Sequence, residues 1–338
     1  MTTARLFPFD EVWWVYLAAT LLIGIFLAVD LGVFHKKAHR VGMREASIFA
    51  VIWVLVALLF NLGLYYWSLS FLRGHPPVGV TAEAAAMQTA MEFLAGYVIE
   101  YSLSVDNLFV FVVVLNYFGI PPELRHRVLY FGILGALVFR ALFIGLGAVL
   151  LQFQWVVISL GVFLVFTGYR VMTADDERGV DPEKNVLIKW LRRSMPVTPR
   201  IHGQNFFIRE DGAWKATPLF IALAFLEMTD VVFALDSVPA VFAITNEPLV
   251  VFTSNMFAIL GLRNLYFLLA EAVDLFHLLK YGLGIVLMFV GLKMTILNKM
   301  WDGHFPISIS LGFILVVLFI AIAGSLLYPK KTPNQESS

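Results

Sequence analysis

Two polar stretches interrupt an otherwise apolar chain: Glu100-Tyr101-Ser102-Leu103-Ser104-Val105-Asp106-Asn107 and Glu227-Met228-Thr229-Asp230-Val231-Val232-Phe233-Ala234-Leu235-Asp236-Ser237-Val238-Pro239. Each stretch places carboxylates, hydroxyls or an amide within a segment long and apolar enough to cross a bilayer. One carboxylate at the bilayer centre costs roughly 2.5–3.5 kcal/mol on insertion scales. Five unpartnered carboxylates would cost on the order of 12–17 kcal/mol, so protons, cations or arginines must compensate Glu100, Asp106, Glu227, Asp230 and Asp236.

The composition is that of an integral membrane protein. Of the 338 residues, 60% are hydrophobic and only 14% are charged, whereas soluble domains carry roughly 25% charged residues. The 24 basic and 24 acidic residues balance, which argues against a nucleic-acid partner. Cysteine is absent, so the chain itself offers no disulfide, thiolate nucleophile or thiolate metal ligand.

The apolar segments predict an all-α polytopic membrane fold. A helix needs about 20 apolar residues to cross a bilayer, and on this rule the sequence predicts nine transmembrane spans. The first span lacks the flanks of a signal peptide and is predicted to be a retained helix. The spans are predicted near residues 13–34, 47–68, 88–115, 128–151, 155–172, 218–243, 251–271, 281–298 and 306–328.

Lysine and arginine residues in the loops predict the orientation. The loops after the first and third spans, the polar segment 173–217 and the C-terminal tail are basic, whereas the loops on the other side hold few basic residues. With nine spans, this pattern predicts a multi-pass inner (plasma) membrane protein with its N-terminus outside and its C-terminus in the cytoplasm. Within the polar segment, residues 205–212 carry the pattern of a small β-hairpin.

An internal repeat lies on either side of the polar segment. Residues 160–172 match residues 283–295, and Asp106-Asn107 match Asp236-Ser237. Because each copy has three spans, the two copies must cross the membrane in opposite senses, as in many secondary transporters. The predicted organisation is two spans in 1–87, repeats in 88–172 (spans 3–5) and 218–298 (spans 6–8), a cytoplasmic connector in 173–217, and the last span and tail in 299–338.

The polar stretches predict a cation site near the membrane midplane. Glu100 and Asp106 lie six residues apart and would face different sides of an unbroken helix. Both stretches are therefore expected to be broken helices that unwind locally, aided in the second by Pro239. Carboxylate, amide, hydroxyl and backbone oxygens suit Mg²⁺, Ca²⁺ or Mn²⁺. Neither stretch contains histidine or cysteine, which disfavours Zn²⁺ and Cu⁺.

Other roles for these acids have less support in the sequence. Arg140 and Arg263 are predicted structural counter-ions, but two arginines leave a surplus of negative charge over five acids. Glu92 is predicted to be solvated near a span end. An intramembrane aspartyl protease is disfavoured because neither Asp106 nor Asp236 has a glycine neighbour, and no enzymatic activity is predicted.

The two stretches, continued to Phe111 and Ala240, resemble the signature segments of the TerC family, integral membrane proteins named for tellurium resistance. The nine-span length and Leu31-Gly32-Val33-Phe34-His35-Lys36 resemble the Alx-like branch of that family. The resemblance implies a transporter related to the LysE-type exporters, with manganese export as the leading activity. It also implies metal-pathway roles for Glu100, Asp106, Asn107, Glu227, Asp230, Asp236 and Ser237.

The expected function is therefore export of Mn²⁺ as a transported substrate, with no permanently bound cofactor. Proton antiport is a reasonable coupling, because carboxylates can exchange a metal for protons. The other expected partners are the lipid bilayer and further copies of the chain in a homo-oligomer. Two alternatives stay open: a Ca²⁺ or general divalent-cation exchanger, and a non-transporting membrane scaffold of a metal or tellurite stress complex.

Overall fold

The computed structural model describes residues 6–34, 42–150, 153–173, 196–210, 212–272, 278–301 and 305–327. Within these ranges, the side chains of residues 30–34, 106, 109, 235, 236, 271 and 272 are outside the description. The described helices are α1 (Phe9–Phe34), α2 (Met43–Gly74), α3 (Ala82–Tyr117), α4 (Pro122–Leu150), α5 (Gln154–Thr173), α6 (Pro218–Phe242), α7 (Pro248–Leu260), α8 (Leu262–Ala272), α9 (Leu279–Leu292) and α10 (Ile307–Leu327).

The prediction of an all-α membrane fold is confirmed. Eight described helical stretches are long and apolar enough to cross a bilayer, and a ninth span forms if α7 and α8, bent by 44°, count as one. One of the eight combines α9 with a π-helical segment, Lys293–Leu297, and a last α-helical turn, Asn298–Met300. Helix α3 is the most buried of these spans, because 62% of its most apolar 18-residue stretch is buried inside the protein. It therefore forms the centre of the bundle.

The predicted β-hairpin is also present. Strands β1 (Phe207–Glu210) and β2 (Ala213–Ala216) pair antiparallel, with Glu210 opposite Ala213. Gly212 lies in the turn with φ of 78°, a conformation that glycine adopts without steric cost. Residues 174–195 of the predicted connector lie outside the described part of the chain.

The hairpin marks one end of the helix bundle, which we call the hairpin end. There, Arg127 at the start of α4 donates to Gln204 at 2.9 Å, and the rings of Phe131 and Phe206 meet edge to face at 5.2 Å. The opposite end contains the first turns of α3 and α10 and the last turn of α6. The two ends give the protein a polarity along the bundle axis.

Helices α5 and α9 pack closely enough for their backbones to touch. A Cβ atom on Gly168 would lie 2.5 Å from the carbonyl oxygen of Gly284, and one on Gly291 would lie 2.5 Å from that of Gly161. Small residues allow such close packing of membrane helices. In the predicted repeat, Gly161 matches Gly284 and Gly168 matches Gly291, so the two contacts join positions that the sequence pairs; the repeat itself stays a prediction.

The close contact of α5 and α9 predicts that Gly168→Ala lowers the free energy of unfolding. The added methyl group would meet backbone atoms that cannot move aside alone, and overpacking typically costs about 1–3 kcal/mol. Denaturant titration in mixed micelles measures the change. Gly63→Ala is the matched control, because its added Cβ has no heavy atom within 4 Å. An equal response of the two variants would contradict the predicted close packing.

The prediction of broken helices in the two polar stretches is wrong. Helix α3 runs unbroken through Glu100 and Asp106, and α6 runs unbroken through Asp236 and Pro239. Pro239 lies in the last turn of α6, where its own carbonyl accepts from the amide of Ala243 at 2.9 Å. Neighbouring helices and local adjustments allow proline within membrane helices. The bend in the bundle lies instead between α7 and α8.

Candidate functional site

A buried ion pair lies at the centre of the bundle. Glu100 stands at the midpoint of α3 and is 0% exposed, and Arg140 of α4 is 2% exposed. Arg140 Nη1 forms an ion pair with Glu100 Oε1, and Ser104 Oγ donates to the same oxygen at 3.4 Å. Glu100 Oε2 is buried without a hydrogen-bond partner among the described residues. The carboxylate is therefore neutralised by a cation but only half satisfied.

Arg140 also connects α3 and α4 to α7. Its Nη1 donates to Asn255 Oδ1 at 3.2 Å, and Asn255 Nδ2 donates to the Val251 carbonyl at 2.9 Å. Asn255 is fully buried. Sequence reasoning missed this residue, although an amide in an apolar span was a usable signal.

The second polar stretch contributes two acids to the same layer. Asp230 stands at the midpoint of α6 and is 7% exposed. Its charge is within electrostatic range of Arg140 and of Glu227, one turn earlier on α6. Glu227 is half-buried, and its carboxylate occupies the space that a Cβ of Gly135 on α4 would take. The missing side chain at Gly135 thus makes room for the Glu227 carboxylate.

The other predicted site residues are only partly described. Ser237 is 1% exposed, and its hydroxyl has no hydrogen-bond partner among the described residues. Asn107 is buried on α3. Asp106 and Asp236 lie within α3 and α6, but their side chains are outside the described part of the structure. The structure therefore brings Glu100, Glu227 and Asp230 into one layer with Arg140 and leaves two acids undescribed.

The charges in this layer do not balance. Glu100 forms an ion pair with Arg140, and Asp230 lies within electrostatic range of Arg140, which confirms the predicted counter-ion role of that residue. Glu227 lies within electrostatic range of Asp230. Arg263, the other predicted counter-ion, is 2% exposed at the start of α8. Among side chains that the structure describes, no three histidine, cysteine or acidic groups are placed to hold a metal ion. Two buried carboxylate oxygens of this layer nevertheless lack a hydrogen-bond partner among the described residues: Glu100 Oε2 and Glu227 Oε2. Buried polar atoms are normally satisfied, and a hard cation as cargo would satisfy these oxygens.

The predicted interfacial solvation of Glu92 is wrong. Glu92 is 6% exposed and accepts hydrogen bonds from Thr245 and Gln88. Helix α3 begins at Ala82 rather than near residue 88, so Glu92 lies almost three turns inside the helix. The sequence also places Glu271, Asp274 and His277 near a span end, and their side chains lie outside the described part of the structure.

The fold and this layer define a polytopic membrane protein with paired acids and an arginine at the middle of its bundle. Residues 85–333 match the model of the integral membrane protein TerC family. The chain therefore belongs to the TerC family, as its two polar stretches predict. No solved structure matches the chain.

Three relatives from different bacteria align with most of the chain. It is 42% identical over 305 residues to the "Putative membrane-bound redox modulator Alx" of Escherichia coli K12, spanning 88% of this chain and 91% of that protein. It is 42% identical over 312 residues to an uncharacterized membrane protein of Myxococcus xanthus, spanning 92% and 91%. It is 34% identical over 307 residues to an uncharacterized membrane protein of Rickettsia felis, spanning 90% and 95%.

Proposed function

We propose that this protein transports a hard divalent cation, Mn²⁺, out of the cytoplasm. The proposal rests chiefly on the surplus of buried acids over arginine at the midpoints of α3 and α6. Ionisable groups inside a bilayer are costly and mark ion pathways more often than structural contacts. The choice of manganese and the outward direction follow from the resemblance to the TerC family.

The donor set supports a hard cation. Carboxylate, hydroxyl and amide oxygens come from Glu100, Asp230, Glu227, Ser237 and Asn107. Such ligands bind Mn²⁺, Mg²⁺ and Ca²⁺, whereas softer metals favour thiolate or imidazole. Acids that repel one another in an apolar bundle gain most from a divalent partner, because it neutralises two charges at once.

Arg140 acts in this proposal as a substitute cation. When no ion is bound, the guanidinium of Arg140 forms an ion pair with the Glu100 carboxylate. Asn255 accepts a hydrogen bond from the guanidinium and holds it in place. An arriving divalent ion takes its place at Glu100, and Arg140 keeps its contact with Asn255. The arginine thereby prevents the empty site from holding an unpaired charge in hydrocarbon.

Orientation follows from the basic residues. The hairpin end has Arg125, Arg127, Arg200, Arg209 and Lys215 in its described part. A cytoplasmic excess of Lys and Arg is the rule for inner-membrane proteins. The hairpin end is therefore assigned to the cytoplasm of an inner-membrane protein with its N-terminus outside, and the opposite end to the outer face.

Proton antiport is the proposed coupling, because acids that release a metal can take up protons. The name of the Escherichia coli relative describes a redox modulator. This chain has no cysteine, so thiol chemistry of its own side chains cannot carry such an effect. Metal-ion movement is a route by which a protein without thiols can alter cellular redox balance.

Manganese flux into proteoliposomes tests the proposal. Wild type is compared with Asp106→Asn and Asp236→Asn, with an entrapped indicator reporting Mn²⁺. Flux is expected to fall to that of protein-free vesicles in both variants, because the amide cannot neutralise the ion. Glu123→Gln is the control, since Glu123 is exposed in the first turn of α4.

The possible outcomes separate the alternatives. Unchanged flux in both aspartate variants would refute the site. Wild-type protein that moves no divalent ion would favour the non-transporting scaffold. Equal movement of Ca²⁺ and Mn²⁺ would favour the general divalent-cation exchanger.

A further inference from the structure

A second polar cluster lies toward the opposite end of the bundle. Glu92 precedes Glu100 by eight residues on α3, which corresponds to about 12 Å along the helix axis. A cavity of about 410 Å³ lies beside Glu92, between α3, the α6–α7 connection, the π-helical segment and the start of α10. Its polar lining includes Gln88, Glu92, Thr245, Asn246, Lys293 and Asn298.

Two neutral groups donate hydrogen bonds to Glu92, and they can satisfy the carboxyl group in both its charged and its protonated state. Thr245 Oγ1 donates to one carboxylate oxygen at 2.5 Å, and Gln88 Nε2 donates to the other at 2.8 Å. A hydroxyl group both donates and accepts. If Glu92 takes up a proton, the Thr245 hydroxyl can turn and accept it, so neither state leaves the buried carboxyl group unsatisfied.

Lys293 supplies a positive charge to the same cavity. It is 3% exposed and interacts electrostatically with Glu92. No described carboxylate lies within the roughly 4 Å of a direct ion pair with it. Among the described residues, Glu247 is a further charged group within electrostatic range of Glu92, and it accepts a hydrogen bond from the Leu6 amide at 2.7 Å.

This composition suits a proton better than a metal ion. A hard divalent ion takes about six or more oxygen ligands, usually with several carboxylates. The described lining of this cavity includes a single carboxylate, Glu92. Uptake of one proton changes the cluster by one charge and needs no additional ligands.

Two features set Lys293 apart from its surroundings. It begins the π-helical segment Lys293–Leu297, and π-helical turns inside α-helices frequently mark functional sites. In the predicted repeat Lys293 matches Arg170, which is exposed in the last turn of α5, and Glu92 matches Ala222. The positions equivalent to Glu92 and Lys293 therefore lack the acid, and the acid–base pair is found only next to the cavity.

A single face of α3 joins this cluster to the central acids. Glu92, Gly96 and Glu100 follow one another at intervals of four residues, which places them along one side of the helix. A Cβ on Gly96 would lie 2.7 Å from Ser254 Oγ and 3.0 Å from Val241. Tight contacts with α6 and α7 thus separate the cavity from the acid layer in this conformation.

We propose that Glu92, balanced by Lys293 and hydrogen-bonded to Thr245, is a proton-exchange site that communicates with the outer side through this cavity. Its role as the coupling site rests on the proposed function of the protein, whereas its ability to exchange protons does not. When the contact at Gly96 opens, the proton can pass between Glu92 and the central acids. The site supplies the counter-ion step that metal export requires.

Two measurements on the full-length protein test the assignment. The first is infrared difference spectroscopy of reconstituted protein between high and low pH, with Glu92→Gln and Glu83→Gln compared with wild type. Glu83 is an exposed acid on α3 that pairs with Arg73 at 2.9 Å. Wild type and Glu83→Gln are expected to show a protonated-carboxyl band that is missing from Glu92→Gln, while the bands of the central acids remain in all three. In Lys293→Met the band is expected to persist to higher pH.

The second measurement counts protons moved per Mn²⁺ in proteoliposomes with an internal pH dye. Electroneutral exchange needs two protons per ion, so loss of one carrier is expected to lower the ratio about two-fold in Glu92→Gln. A wild-type ratio in that variant would overturn the coupling role. An unchanged infrared band in Glu92→Gln would overturn the proton site itself. If wild type moves no Mn²⁺, the proposed export fails, and the infrared result still decides whether Glu92 exchanges protons.

Discussion

Replacing Arg140 by methionine is expected to lower the free energy of unfolding by about 3–5 kcal/mol. The substitution removes the described counter-ion of Glu100, which is 0% exposed, and takes away a positive charge within electrostatic range of Asp230. An unpaired buried charge loses its hydration and gains nothing in return. Denaturant titration in mixed micelles measures the loss.

A double-mutant cycle with Glu100→Gln separates the ion pair from general packing. The double variant should be more stable than Arg140→Met alone, because the glutamine places no uncompensated charge beside the methionine. Arg170→Met is the matched control, since Arg170 is exposed at the end of α5. If Arg140→Met and Arg170→Met cost the same, Arg140 does not neutralise the central acids.

Much of the fold could be predicted from the sequence, because the length of an apolar segment fixes whether it spans a bilayer. The helices match the predicted spans, and the hairpin follows from Gly212 and the flanking alternation. Helix ends were less certain, because polar first turns such as that of α3 do not raise the hydropathy. This shift of six residues is why Glu92 was placed near the surface instead of inside the bundle.

The central acids could be identified because charged residues inside apolar segments need a partner. Their partners could not be identified as readily, since hydrogen bonds such as Arg140 to Asn255 join residues far apart in sequence. The predicted unwinding failed for a physical reason. Local rules for proline at Pro239 describe a helix in isolation, whereas packing against α3 and α4 keeps α6 continuous.

The glycine at position 135 offers a way to disturb the proposed cation site without changing any charge. A Cβ at this position would overlap the Glu227 carboxylate. That carboxylate is the end of a flexible side chain, so Gly135→Ala should move it aside without unfolding the protein. Displacing a group that orients metal ligands typically costs about 10- to 100-fold in affinity or activity, and a similar fall in Mn²⁺ flux is expected.

Gly132→Ala is the matched control for this substitution. It lies one turn earlier on α4, and its added Cβ would meet only Leu223 at 4.0 Å, which is ordinary contact. Both variants should retain wild-type unfolding free energy within about 1 kcal/mol, while only Gly135→Ala loses flux. Restoration of flux by Gly135→Ala combined with Glu227→Asp, whose shorter side chain leaves room for the methyl group, would assign the effect to the carboxylate. Wild-type flux in Gly135→Ala would exclude Glu227 from the ion pathway, because its carboxylate cannot stay in place beside the methyl group.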